Sequence, residues 1–153
     1  MSLKTINTKL LFLFKANAII EEEQIQMLWS GYGQLSRFFL SGGEVESIIV
    51  KKIVLSTQSN HPKGWNTNRS HNRKMKSYQV EMEWYRKWAK RCSKECRVPK
   101  CYYADSIGEN RVLILEDLDA GGFAQRRNSL NIPETKVVLK WLANFHAKFM
   151  NET

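Results

Sequence analysis

The first half of the chain alternates between short apolar segments and turn-forming residues. Apolar-rich segments at 25–29 and 35–40 flank the sequence Ser-Gly-Tyr-Gly at 30–33, which is typical of a hairpin turn. The Ser-Gly-Gly sequence at 41–43 turns the chain again, and residues 47–55 are rich in β-branched side chains. The pattern predicts three consecutive strands that form an antiparallel meander.

The periodicity changes in the second half of the chain. Residues 56–76 are polar and predict a loop or a poorly specified approach to a helix. Beyond them, apolar residues recur at alternating steps of four and three, which predicts a helix that ends before Pro99. The apolar face of this helix consists of Tyr78, Met82, Tyr85, Ala89 and Cys92.

Two more strands and a final helix are predicted after Pro99. Residues 101–104 and 111–116 are short strand candidates around a turn at 106–110. Pro133 suits a first helical position and precedes an apolar stripe. That stripe consists of Val138, Trp141, Leu142, Phe145 and Phe149. The predicted order is β-β-β-α-β-β followed by a helix.

Composition indicates a globular domain in a reducing compartment. The 153 residues are 42% hydrophobic and 25% charged, and three cysteines with spacings of 4 and 5 match neither a disulfide scaffold nor a zinc site. The apolar run at 10–14 is too short for a secretory core or a membrane span and predicts a packed helix or strand, although residues 1–20 stay poorly assigned. We therefore expect a cytoplasmic protein without a membrane span.

The excess of positive charge is concentrated in one segment. Residues 63–100 contain 12 Lys and Arg against 3 Asp and Glu, whereas the remaining residues are balanced. Such a segment indicates either an anionic partner or a solvated helix face.

One set of residues has a chemical meaning as a group. The turn glycines Gly31 and Gly33 precede Lys51, which ends an apolar run on a predicted strand, and Glu81 lies on the following helix. Glycines let backbone N–H groups approach phosphate oxygens, a strand lysine supplies a point charge, and a helix carboxylate holds that lysine.

These residues and several longer sequences together resemble the N-lobe of the protein-kinase-like fold. The match is closest to its small-molecule kinases, which are the aminoglycoside phosphotransferases, choline kinases and ecdysteroid-kinase-like proteins. It spans about residues 21–150 and rests on Leu-Trp-Ser-Gly-Tyr-Gly at 28–33, Ile-Val-Lys at 49–51, Leu-Ile-Leu-Glu-Asp-Leu-Asp at 113–119 and Trp-Leu-Ala-Asn-Phe-His-Ala at 141–147. Glu81, three residues before Trp-Tyr, belongs to the same set.

The resemblance implies an α+β fold with a five-stranded antiparallel sheet and one helix. Residues 1–118 would form the N-lobe with its hinge, and residues 119–153 would form a linker and the first helix of a truncated C-lobe. The complete family member would transfer the γ-phosphate of ATP, bound with Mg²⁺, to a hydroxyl of a small molecule.

The resemblance also implies roles for individual residues. The turn formed by Gly31, Tyr32 and Gly33 would cover the phosphates, Lys51 would contact them and Glu81 would pair with Lys51. The segment Glu116, Asp117 and Leu118 would be the adenine-contacting hinge. Two neighbouring charged residues are not chosen for these roles. Strand alternation points Lys52 to the opposite sheet face from Lys51, and Glu83 is displaced around the helix from Glu81.

Departures from the family pattern predict a lobe that is inactive alone. Ser36 replaces a third glycine and Phe38 the usual valine, and no His-x-Asp occurs among the 153 residues. The only aspartates are Asp105, Asp117 and Asp119, so the general base and the metal carboxylates are not identified. Without a C-lobe to cover it, the apolar stripe on the last helix is expected to be exposed and to favour self-association. This stripe consists of Trp141, Leu142, Phe145 and Phe149.

The alternative interpretation is a basic module that binds nucleic acid or an acidic partner. The cations of the segment at 69–94 would follow phosphates, and Trp65, Trp84 or Trp88 would stack on bases. No groove-reading motif supports nucleic acid, so this alternative ranks second.

Overall fold

A computed structural model describes residues 3–28, 31–54, 68–108 and 110–150. Trp29, the last residue of the strand predicted at 25–29, and Ser30 of the predicted turn lie outside these residues, as does the segment 55–67, which includes Trp65. The elements in chain order are α1 (Leu3–Phe14), β1 (Ala18–Met27), β2 (Gly33–Ser41), β3 (Ser47–Val54), α2 (Asn68–Lys87), β4 (Cys101–Ile107), β5 (Asn110–Glu116) and α3 (Ile132–Phe149).

The five strands form one antiparallel sheet in the order β1-β2-β3-β5-β4. Its register places Lys51 of β3 opposite Leu35 of β2 and opposite Leu113 of β5. The predicted α+β class and the five-stranded antiparallel sheet are confirmed.

Each face of the sheet is covered by a different helix. Ile6, Leu10 and Phe14 recur at steps of four on α1 and are almost fully buried against the alternate residues of β2, β3 and β5. On the other face, Met82 and Tyr85 of α2 pack against Ile49, Leu113, Leu115, Cys101 and Ala104. The side chains of β5 are therefore buried on both faces, as its continuous apolar run predicts.

The structure corrects the predicted start of the sheet. The strand predicted at 25–29 begins at Ala18, so Glu21, Glu22 and Glu23 lie within β1. Because β1 is an edge strand and most of its residues are exposed, it lacks the alternation of a half-buried strand. Residues 1–20 contribute α1 and the start of β1, so the lobe has two helices rather than one.

The bounds of α2 also differ from the prediction. It begins at Asn68, inside the segment predicted as a loop, and ends at Lys87. Short 3₁₀ turns at Ala89–Arg91 and Lys94–Cys96 continue the chain to Pro99. The predicted apolar face thus ends in a 3₁₀ segment, in which Ala89 is buried.

The last helix begins at a capping box. The side chain of Asn131 accepts a hydrogen bond of 2.9 Å from the N–H of Glu134, whose carboxylate accepts one of 3.0 Å from the N–H of Asn131. Pro133 follows in the first turn, as predicted. Within the described ranges, no helix has the length and apolarity needed to cross a membrane. The division of the chain at residue 118 stays a prediction.

Candidate functional site

The centre of the candidate site is an ion pair between the sheet and α2. Both carboxylate oxygens of Glu81 lie 2.7 Å from the Nζ of Lys51. Lys51 is 17% exposed and Glu81 32%, so the pair is partly shielded from water and stronger than a surface pair. The Nζ of Lys51 also lies 5.4 Å from the centre of the Tyr78 ring.

The neighbouring charged residues do not join this pair. Lys52 is opposite Gln34 and Val112, and strand alternation places it on the sheet face that α1 covers. Glu83 instead accepts from Arg86 and Lys87 at the surface of α2. The structure therefore brings together the two residues selected from the sequence, while their catalytic role stays a prediction.

The glycine turn lies beside the end of β3. Its residues Gly31 and Gly33 have φ values of +72° and +134°. A Cβ on Gly33 would lie 1.9 Å from the carbonyl oxygen of Lys52, so only glycine fits there. The carbonyl of Tyr32 accepts a hydrogen bond of 2.8 Å from the N–H of Val54. The turn is thus fixed to the strand that carries Lys51.

The side chain of Tyr32 contacts α2 and is only 2% exposed. Its hydroxyl forms a hydrogen bond of 2.6 Å with Nδ1 of His71, and its ring lies 6.2 Å from that of Tyr78. The Nζ of Lys74 lies 5.1 Å from the ring centre. Because the ring is enclosed, covering a phosphate would fall to the backbone of the turn and not to this side chain.

We expect Tyr32→Phe to lower the free energy of unfolding by about 1–2 kcal/mol, because it leaves the half-buried His71 without its partner. Urea unfolding followed by circular dichroism measures the change. The matched control is Tyr103→Phe, which removes an exposed hydrogen bond to the carbonyl of Ser106. Equal losses for the two variants would contradict a specific role for the Tyr32 hydroxyl.

An apolar cavity of about 210 Å³ lies between the sheet and the segment after β5. Its apolar walls come from β1, β2, β3 and β5, through Ile25, Leu35, Ile49 and Leu115. Its rim is formed by residues 116–119 together with Arg37, Pro99 and Arg126. The predicted hinge therefore borders a cavity on the sheet face that carries Lys51.

Two carboxylates of the predicted hinge already accept hydrogen bonds from other residues of the chain. Glu116 accepts hydrogen bonds from Arg97 at 2.5 Å and from the backbone N–H of Lys100 at 3.0 Å. Asp117 is 5% exposed and accepts from Arg37 at 2.7 Å and from the hydroxyl of Ser47 at 2.8 Å. An adenine contact by residues 116–118 would therefore use their backbone or the side chain of Leu118.

Arg37 connects β2 with the hinge. It donates to Asp117, to Asp119 at 2.6 Å and to Glu23 at 2.8 Å. Burial by itself raises the pKa of Asp117, but the hydrogen bonds from Arg37 and Ser47 outweigh it and hold the pKa below its usual value. The same bond to Asp117 raises the pKa of Arg37, which stays charged.

Sequence reasoning missed Arg37 and the apolar cavity residues. It aligned Phe38 with the usual valine of the glycine-loop motif, but Phe38 is buried on the α1 face, and Leu35 lines the cavity. Alternation along β2 carried the signal, because Phe38 and Leu40 in the core direct Leu35 and Arg37 to the other face.

The predicted stripe on α3 is divided by the structure. Phe145 and Phe149 are half-buried beside Trp84, with ring centres 5.9 and 6.4 Å from it. Trp141 and Leu142 are 36% and 37% exposed, and the indole of Trp141 donates to the carbonyl of Arg97 at 2.9 Å. Only part of the stripe is open, and self-association through it stays a prediction.

The described residues hold no group of His, Cys, Asp and Glu side chains suited to a metal ion. The three cysteines are free thiols, and burial together with the neighbouring Cys96 raises the pKa of Cys92 to about 11. Burial also raises the pKa of Cys101, so the thiols of Cys92 and Cys101 keep their protons at neutral pH.

The sheet topology, the Lys51–Glu81 pair and the adjoining cavity define the N-terminal lobe of a kinase-like fold. Comparison with known families agrees: the model of the ecdysteroid kinase-like family matches residues 41–151, and the chain belongs to that family. The matched residues include Lys51, Glu81 and the segment 116–118 and begin after the glycine turn. A search of curated proteins gives no match.

Proposed function

We propose that these residues form the nucleotide-binding lobe of an ATP-dependent phosphotransferase whose acceptor is a hydroxyl of a small molecule. The observation that carries the proposal is the Lys51–Glu81 ion pair on the same sheet face as the apolar cavity bordered by residues 116–118. Kinase-like enzymes use such a lysine for the nucleotide phosphates and such a cavity for the base.

The apolar walls suit a nucleobase. Ile25, Leu35, Ile49 and Leu115 come from four adjacent strands, and a planar base that packed on them would be withdrawn from water on the face turned to the sheet. Hydrogen bonds to the edge of the base would come from the backbone of residues 116–118, because the carboxylates of Glu116 and Asp117 already have protein partners. Discrimination among bases would then depend on backbone geometry.

Lys51 would bind the phosphates, with Glu81 as its positioning partner. The carboxylate accepts from the ammonium through both oxygens, which fixes the direction of a long, flexible side chain before nucleotide arrives. The positive φ values of Gly31 and Gly33 let the backbone of the turn approach an anion closely.

Binding without turnover is expected of these residues alone. Phosphoryl transfer by this fold needs a general base and carboxylates that hold Mg²⁺. No His-x-Asp occurs among the 153 residues, and Asp117 and Asp119 are engaged by Arg37. The residues present fit the nucleotide but not its metal, so acceptor and metal contacts would come from other residues.

We expect Lys51→Ala to weaken ATP binding about tenfold to a hundredfold. This factor corresponds to the loss of one hydrogen bond to a charged group, which contributes about 1.5–3 kcal/mol. Tryptophan fluorescence during an ATP titration measures the dissociation constant. The matched control is Lys52→Ala, which removes the same charge from the opposite sheet face. Equal affinities of the two variants, or no saturable binding by the unsubstituted chain, would contradict the proposed function.

A further inference from the structure

A second cavity, of about 360 Å³, lies where the 3₁₀ turns after α2 lead into β4. Four cationic residues line it, and no Asp or Glu does. These cations are Arg86, Lys90, Arg97 and Lys100, and the hydroxyl-bearing residues Tyr85 and Ser93 are also part of the wall. The cavity lies within the basic segment that the nucleotide site leaves unexplained.

The charges around this cavity are only partly neutralised. Arg86 pairs with Glu83 and Asp105, and Arg97 pairs with Glu116. Within the described part of the chain, no carboxylate lies within ion-pair distance of Lys90 or Lys100, and the Nζ of Lys100 lies 4.8 Å from the centre of the Tyr102 ring. Lys90 therefore lines the recess without a carboxylate partner among these residues. The ammonium of Lys100, which also lines it, lies over Tyr102. The pKa of the exposed Glu44 is lowered chiefly by its hydrogen bond from Lys15 and also by the charge of Lys100.

We propose that this cavity binds the phosphate group of a small phosphate monoester. Such a group carries about 1.5–2 negative charges and three acceptor oxygens at neutral pH, which suits a recess lined by two lysines and two arginines and by no carboxylate of the described ranges. The volume lies within the range of about 300–1,000 Å³ typical of small-molecule sites, so it has room for more than free phosphate.

Hydroxyl donors complete the wall. Burial, the nearby Glu81 and two neighbouring thiols raise the pKa of Tyr85 to about 12, so its hydroxyl keeps its proton at neutral pH. A protonated hydroxyl donates to a phosphate oxygen, whereas a phenolate would repel it. Ser93 is exposed at the same wall, where its hydroxyl forms a hydrogen bond with the carboxylate of Glu95.

This site is separate from the nucleotide site. None of the residues that line it lies on β1, β2 or β3, and Lys51 is not among them. The two sites adjoin at Pro99, which lines both cavities, and at Arg97, which lines the second cavity and donates to Glu116 at the rim of the first. Binding here can therefore be tested without ATP.

The test compares thermal unfolding in inorganic phosphate, in phosphoserine and in chloride at equal ionic strength. A ligand that binds only the folded chain raises the unfolding temperature in a saturable manner. We expect both phosphates to do so, with phosphoserine effective at lower concentration. The effect should disappear in the Lys90→Gln, Lys100→Gln double variant. Both lysines are exposed, so this variant should keep its fold, which circular dichroism verifies.

Two control variants complete the design. The Lys76→Gln, Lys136→Gln variant removes the same charge from exposed positions away from the cavity and should keep the effect. Lys51→Ala should also keep it, measured against its own unfolding temperature in chloride. Loss of the effect in Lys51→Ala would assign the phosphate to the nucleotide site and overturn the proposal.

Other outcomes would overturn the proposal for different reasons. Equal effects in the Lys90→Gln, Lys100→Gln variant and the unsubstituted chain would show binding elsewhere. Stabilisation by inorganic phosphate but not by phosphoserine would exclude a monoester. Stabilisation by polyglutamate through Lys90 and Lys100, without any effect of phosphate, would assign the surface to an acidic polypeptide.

Discussion

Arg37→Met is expected to lower the free energy of unfolding by about 3–5 kcal/mol, because it removes one member of a buried ion pair and leaves the other charge uncompensated. Asp117 is 5% exposed and would keep only the hydroxyl of Ser47 and the N–H of Asp119 as donors. Methionine has a similar length and no charge, so packing around the side chain changes little. Urea unfolding followed by tryptophan fluorescence measures the loss.

The matched control for this variant is Arg126→Met. Arg126 also donates to Asp119, at 2.7 Å, but its side chain is 69% exposed, so its pair is screened by water. We expect a loss within about 1 kcal/mol. A loss for Arg37→Met that is no larger than for Arg126→Met would contradict the assignment of Arg37 as the link between β2 and the hinge.

The pH dependence of stability provides a second readout of the same pair. The pKa of Asp117 is lowered by folding, so its contribution to stability is present above the unfolded-state pKa of about 3.9 and is lost as pH falls through the folded-state pKa. In Arg37→Met, burial dominates and raises this pKa, so protonation then favours the folded state. The stability difference between the two chains should therefore shrink as pH falls, first through the raised pKa of Asp117 in Arg37→Met and then, below about pH 4, through its lowered pKa in the unsubstituted chain.

The sequence predicts the central sheet well because its strands are bounded by turns and buried in a regular way. Residues 47–55 and 111–116 correspond closely to β3 and β5, which carry the core on both faces. The edge strand β1 was placed seven residues too late, because its exposed glutamates follow no burial pattern. Local patterning is informative only where burial is regular.

For the candidate site, the sequence predicts proximity through motifs and misses partners that are distant in the chain. Lys51 and Glu81 were selected by their positions in a motif, and the structure brings them together. The partners of Asp117 and Glu116 follow from the packing of β2 and of the segment before β4 against the hinge. Asp117 lies 80 residues from Arg37, and no periodicity links two such positions.

Gly33→Ala is expected to destabilise the fold by about 3 kcal/mol or more, with an expected loss of ATP binding. A side chain at φ +134° costs of order 1–3 kcal/mol by itself. Its Cβ would also lie 1.9 Å from the carbonyl oxygen of Lys52, a backbone atom that cannot move without disturbing the β2–β3 pairing. Urea unfolding and an ATP titration measure the two effects.

Gly31→Ala separates the contact with Lys52 from the cost of a positive φ. Gly31 has φ +72°, and a Cβ there would meet no atom within 4 Å. We therefore expect this variant to lower the free energy of unfolding by only about 1–2 kcal/mol, which is the cost of a left-handed backbone conformation for alanine. If both alanines cost the same, the close approach of the turn to β3 would contribute nothing. A larger loss at Gly33 would show that the turn depends on β3, the strand that carries Lys51, for its position.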